Sequence, residues 1–102
     1  MNDYQKEFFS YLAEFQERSV QIAMSNYKEG DDIENLLYDT TYELLADVLT
    51  LIDGYSAFSK DKLDIVNQRT GQGIKNDPFI ELHDCVCGYL KCEKFPSSKN
   101  NA

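Results

Sequence analysis

The segment IELHDCVCGYLKCEK, residues 80–94, holds the chain's one histidine and all three of its cysteines. His83, Cys85, Cys87 and Cys92 are residue types that ligate zinc or pair as thiolate and imidazole in nucleophilic catalysis. Spacing decides between these chemistries. On a helix at about 100° per residue, with His83 at zero, Cys87 falls near 40°, Cys85 near 200° and Cys92 near 180°. One ion with bonds of about 2.0–2.3 Å cannot reach two pairs on opposite flanks. Structural zinc sites also usually draw ligands from two separated knuckles, and this chain has no second His/Cys cluster. The surviving metal arrangement is His83 with Cys87, an i,i+4 half-site that a two-fold axis would complete. As catalysts the same residues lack a third orienting group, and CVC is not the CxxC of redox helices. The expectation is therefore no catalytic residue, no metal and no cofactor. Cysteine is a small, often buried residue, and Cys85 is expected to flank an apolar face.

That geometry presupposes a helix, which the sequence supports. Asp77 can cap it, and Pro78 sits in the first turn, where a missing N–H costs nothing. Phe79, Leu82, Val86, Tyr89 and Leu90 make one face. Two longer helices precede it. Over residues 3–27, Tyr4, Phe8, Tyr11, Leu12, Phe15, Ile22 and Ala23 recur at helical steps, with Ser19 and Asn26 on the same line. Phe9, Val20 and Tyr27 form a second stripe, as on a helix with two neighbours or a subunit interface. Gly30 is the natural stop.

The next helix starts at Asp31 or Asp32, where Asp31 and Glu34 have the spacing of a capping box. Ile33, Leu37, Thr41, Leu44, Val48, Leu51 and Tyr55 line one side, and Asp53-Gly54 ends it. Residues 57–75 read either as a short helix from Ser59 to Gly71 or as a hairpin turning at RTG, with Gly71 at positive φ. The hairpin is favoured by Ile65 and Val66. The expected fold is mainly α: a small helical bundle of three long helices, with 57–75 as a short β-hairpin or a fourth short helix. A single domain spans 1–93 and a flexible tail 94–102.

The chain has 102 residues and a net charge of −8. Its length suits one domain, and seven tyrosines with six phenylalanines supply bulk for a core. No stretch approaches the ~20 apolar residues of a membrane span, and the charged N-terminus lacks a signal core. An odd number of cysteines fits free thiols, so a cytoplasmic protein is expected. Between Lys28 and Lys60 there is no basic residue. The eight acids in between, Glu29, Asp31, Asp32, Glu34, Asp39, Glu43, Asp47 and Asp53, equal the whole excess. Such a surface disfavours nucleic acid and anionic membranes and favours a basic protein.

Asp32, Asn35, Asp39, Glu43 and Asp47 lie opposite the leucines of the second helix. Like charges four apart cost roughly 0.2–0.5 kcal/mol per pair, and no nearby lysine offsets them. An exposed acidic face is the plain explanation. The sharper one is a docking ridge made of Asp32, Asp39, Glu43 and Asp47, with Tyr38 and Tyr42 at its edge. Tyrosine buries area at low entropic cost and keeps a polar tip. Divalent-metal binding by these carboxylates would need a facing ExxH helix, which is missing.

The strings LTLIDGYS, LDIVNQRTG and IELHDCVCGYL resemble a pattern in small uncharacterised acidic proteins of Gram-positive bacteria. Some such proteins are similar to immunity proteins, which neutralise a companion toxin. The resemblance covers the C-terminal half and carries no catalytic signature. It raises the reading of a non-enzymatic, protein-binding module, immunity-like or inhibitory, and the uncompensated acidic ridge points to a basic partner. The alternatives are a structural homo-oligomer, such as a homodimer, or a metal or thiol site at His83 and Cys87.

Overall fold

Asn2 starts the first helix. Its side chain accepts the Gln5 N–H at 2.8 Å, and the Gln5 carboxamide accepts the Asn2 N–H at 2.8 Å, a reciprocal cap. The computed structural model describes residues 1–58, 61–75 and 80–92. Helix α1 runs Asp3–Asn26 and α2 runs Ile33–Ile52. Between them Gly30 takes φ +94, a region that costs glycine little. The cap of α2 is Asp32, whose carboxylate accepts the Glu34 N–H at 3.0 Å. Asp31, expected to form the capping box, instead accepts the Lys28 N–H and closes the preceding turn.

The two long helices are packed along one stripe. Phe8, Tyr11, Leu12 and Phe15 of α1 meet Leu44, Val48, Leu51 and Ile52 of α2, joined by Phe58, Leu63 and Leu82. Ser19 continues the buried line of α1. Phe58 sits among Tyr4, Phe8 and Tyr11, with ring centroids 4.9, 5.7 and 5.9 Å away. A smaller cluster joins Tyr42, Val86 and Cys92 with Ala46, Leu49 and Leu90. Leu49 belongs to both clusters. The second stripe of α1 (Phe9, Val20 and Tyr27) is exposed, as are Ile33, Leu37 and Leu45 of α2.

Among the described residues there is no third long helix. Helix α3 spans only Leu82–Cys85 and passes directly into a 3-10 turn, Val86–Gly88. Glu81 before it is extended, at φ −112 and ψ 122. The run HDCVCG has no strong helix former and ends in glycine, so local propensity cannot extend one turn into four. Asp77, Pro78 and Phe79, the expected start, lie outside the described residues, as do Ser59 and the tail from 94.

Residues 61–75 hold no helix. One antiparallel bridge pairs Val66 with Gly73, backed by Asn67 N–H to Gln72 O at 2.8 Å and Ile74 N–H to Ile65 O at 2.8 Å. The Asn67 side chain accepts from the Arg69 and Thr70 N–H groups, and Gly71 turns the chain at φ +78. The bridge is a single pair, and no strand is present among the described residues.

Candidate functional site

The two chain regions outside the long helices are fixed to the end of α2, and a single carboxylate does most of the fixing. Asp53 is the C-terminal cap of α2, followed by Gly54 at φ +91. It is 1% exposed. A carboxylate at a helix C-terminus meets the negative end of the helix dipole, so this position needs other compensation. Four groups supply it. The Leu82 N–H donates to Oδ1 at 3.0 Å and the His83 N–H to Oδ2 at 2.9 Å. His83 Nδ1 lies 2.7 Å from Oδ2, and the Lys75 ammonium lies 3.1 Å from Oδ1.

Asp53 thus caps α3 from a distance, since Glu81 makes no side-chain cap of its own. The Lys75 side chain is 8% exposed, and its charge is balanced by this ion pair rather than by an aligned hydrogen bond among the described residues. Its backbone is set in turn: the Lys75 N–H donates to Asp64 Oδ1 at 3.1 Å, and the Leu63 N–H donates to Ile52 O at 2.7 Å. Any Cβ at Gly73 would strike the Asp64 carboxylate, so glycine lets that strap cross.

Burial alone would raise the Asp53 pKa. The His83 N–H and ring, the Leu82 N–H and the Lys75 ammonium override burial and lower it from 3.8 to about 2. A depressed folded pKa contributes stability that is complete above the unfolded value and is lost as pH falls through the folded one. The shift predicts about 2.5 kcal/mol of stability lost between about pH 5 and about pH 1. Urea unfolding in chelating buffer measures it: Asp53→Asn should have a shallower stability-against-pH slope in that window than the parent chain.

Outside Asp53 the same corner is polar and half open. Tyr55 donates to Glu81 Oε1 at 2.5 Å and meets the His83 ring edge-on, centroids 5.6 Å apart. The Glu81 bond raises the Tyr55 pKa and keeps the phenol protonated. His83 Nε2 lies 3.3 Å from Asp84 Oδ1 and 3.7 Å from Glu81 Oε2. Ligand atoms of Glu81, His83 and Asp84 all fall within 4.8 Å of one another.

The His83 ring thus lies among carboxylates. The helix that would set His83 and Cys87 four positions apart on one face is not unbroken, since it tightens into a 3-10 turn after Cys85. Cys85 and Cys87 are exposed and only Cys92 is buried, and Cys85 borders the apolar groove with Leu82, Val86 and Tyr89. None of the three forms a disulfide.

The acidic ridge is redistributed too. Asp47 is paired with Arg18 of α1 at 2.9 Å, a compensation that inspection of α2 alone misses. Tyr42 is 9% exposed and packs with Val86 and Cys92, so it belongs to the core rather than to a docking edge. Burial raises its pKa, with the Cys87, Cys92 and Glu43 charges adding to the effect. Tyr38 stays exposed, with the Lys91 ammonium 5.0 Å from its ring centre. Asp39 is half-buried and accepts from the Cys92 thiol at 3.2 Å.

Asp31, Asp32, Asp39 and Glu43 come together along one side of a cleft of about 310 Å³ between the end of α1 and the start of α2. Ile22, Ala23 and Leu36 give it an apolar floor, with Ser19, Asn26 and Asn35 around it. This cleft is not legible from α2 alone, because Ser19, Ile22, Ala23 and Asn26 of its lining come from α1.

No protein-family model, curated protein or solved structure matches this chain. No described helix is long and apolar enough to cross a membrane.

Proposed function

We propose that the chain is a protein-binding module that docks a basic protein, in the manner of an immunity or inhibitor protein, through the acidic cleft between α1 and α2. The observation that carries this reading is the pairing of four carboxylate residues with an apolar floor in one cleft. A lysine or arginine side chain has that same division, an aliphatic stem and a cationic tip. The stem buries against Ile22, Ala23 and Leu36 while the tip meets Asp39 and Glu43. The partner surface is then Asp31, Asp32, Asp39 and Glu43, with Tyr38 alongside. Asp47, held by Arg18, contributes to the field more than to contact.

Calorimetric titration with an oligolysine peptide tests this reading. The double substitution Asp39→Asn with Glu43→Gln keeps an acceptor for the Cys92 thiol and removes two charges. It should weaken binding about tenfold, or ~1.4 kcal/mol, with unchanged helicity by circular dichroism. Equal affinity in parent and variant would remove the cleft from the binding surface.

A second reading, self-association, is favoured by the exposed apolar residues Leu45, Ile65, Ile74 and Tyr89 around a groove lined with Val48, Leu49, Val86 and Leu90. Mass measured in solution separates it from the first: a strict monomer at high concentration rejects it.

A further inference from the structure

The corner built on Asp53 goes beyond partner docking. We propose that His83, Glu81 and Asp84 form a binding site for a divalent transition cation of the zinc class, with Asp53 and Tyr55 as its outer supports. The donor set is one imidazole nitrogen and two carboxylate oxygens, which suits a first-row transition ion better than Mg²⁺ or Ca²⁺.

The spacing fits. Around an ion with bonds of about 2.0–2.1 Å in tetrahedral array, neighbouring donors stand roughly 3.3–3.5 Å apart. His83 Nε2 is 3.3 Å from Asp84 Oδ1 and 3.7 Å from Glu81 Oε2.

The second observation lies outside the three ligands and selects which atom of each is presented. His83 Nδ1 is held 2.7 Å from Asp53 Oδ2, so Nε2 is the ring nitrogen turned to the two acids. Tyr55 occupies Glu81 Oε1 and leaves Oε2 toward the imidazole. A carboxylate behind a ligating histidine and a hydrogen bond behind a ligating carboxylate are the outer supports by which proteins orient metal ligands. Asp53 is buried and held by two backbone N–H groups besides, so the histidine is oriented by α2 itself. The side chains of Glu81, His83 and Asp84 are 24%, 27% and 71% exposed, which leaves a path for the ion and a position for water.

The probe is Zn²⁺ added to the chelator-stripped full chain, followed by calorimetry and by native mass. The expected result is one ion per chain. Asp84→Asn and Glu81→Gln, which leave the Asp53 contacts intact, should each weaken binding by at least about tenfold, and Tyr55→Phe should weaken it by about tenfold or more. Because Cys85 and Cys87 are exposed thiols, Cys85→Ser with Cys87→Ser is the control, and it should bind Zn²⁺ as the parent does. Co²⁺ should give a visible spectrum without a sulfur charge-transfer band. Failure to bind a stoichiometric ion overturns the proposal. Binding that survives Asp84→Asn and Glu81→Gln but is lost with the two cysteines also overturns it.

Discussion

Asp53→Ala should lower stability by about 3–5 kcal/mol, the cost of leaving a buried charge without its partner. The chain is short, and domains of this kind are stable by only about 5–15 kcal/mol, so the variant should be partly unfolded at room temperature. The residue is 1% exposed, accepts from the Leu82 and His83 N–H groups, meets the His83 ring at 2.7 Å and is ion-paired with the Lys75 ammonium. Removing it strands the Lys75 charge and uncaps α3 at once. Urea unfolding followed by circular dichroism measures the loss. The double variant Asp53→Ala with Lys75→Met separates the two contributions: it should recover part of the loss, because the buried ammonium is gone, but not all, because two backbone donors remain unpaired. A loss below about 1 kcal/mol for Asp53→Ala would place it among ordinary surface substitutions and deny it the joining role.

The second large effect is expected at Phe58. Phe58→Ala should cost about 3–5 kcal/mol, the range for a buried phenylalanine truncated to alanine. Its ring is 8% exposed and is enclosed by Tyr4, Phe8 and Tyr11 of α1, beside Leu51 and Ile52 of α2. Among the described residues it is the one aromatic side chain beyond α2 that enters the main core cluster, and it tethers the chain after α2 back to the start of α1. Tyr89→Ala is the matched control. At 79% exposed it should stay within about 0.5 kcal/mol of the parent in the same unfolding measurement.

The long helices were legible because their information is local. Tyr11, Leu12, Phe15 and Ser19 repeat at helical steps, and the structure buries that line. Gly30 and Gly54 mark the turns and take positive φ where helices stop. What the sequence concealed depends on partners distant along the chain. Asp53 reads as one more acid beside a glycine, yet its three partners lie 22 to 30 positions away, at Lys75, Leu82 and His83.

Asp47 reads as an unbalanced charge because Arg18 belongs to another helix. Tyr42 reads as an edge residue until Val86 and Cys92 cover it. Over residues 82–90 the apolar spacing, with the Asp77-Pro78 start before it, favours more helix than the structure holds. Propensity opposed it through Cys, Val and Gly, and the first two N–H groups had an acceptor elsewhere. The candidate cation site is half visible in the sequence: His83 stands out as the single histidine, whereas Glu81 and Asp84 are two acids among eighteen and are marked only by where the fold brings them.

The functional reading stands on the cleft, and mapping its occupant by nuclear magnetic resonance tests it most directly. Backbone amide shifts of the full chain should be followed as an oligolysine peptide is added at low salt, then with salt raised. Docking in the cleft predicts shifts concentrated at Ala23, Asn35, Leu36, Asp39, Thr40 and Glu43, reversed as screening grows. Shifts spread evenly over the acids of α1 and α2, or centred on the groove around Leu45 and Ile74, would contradict it.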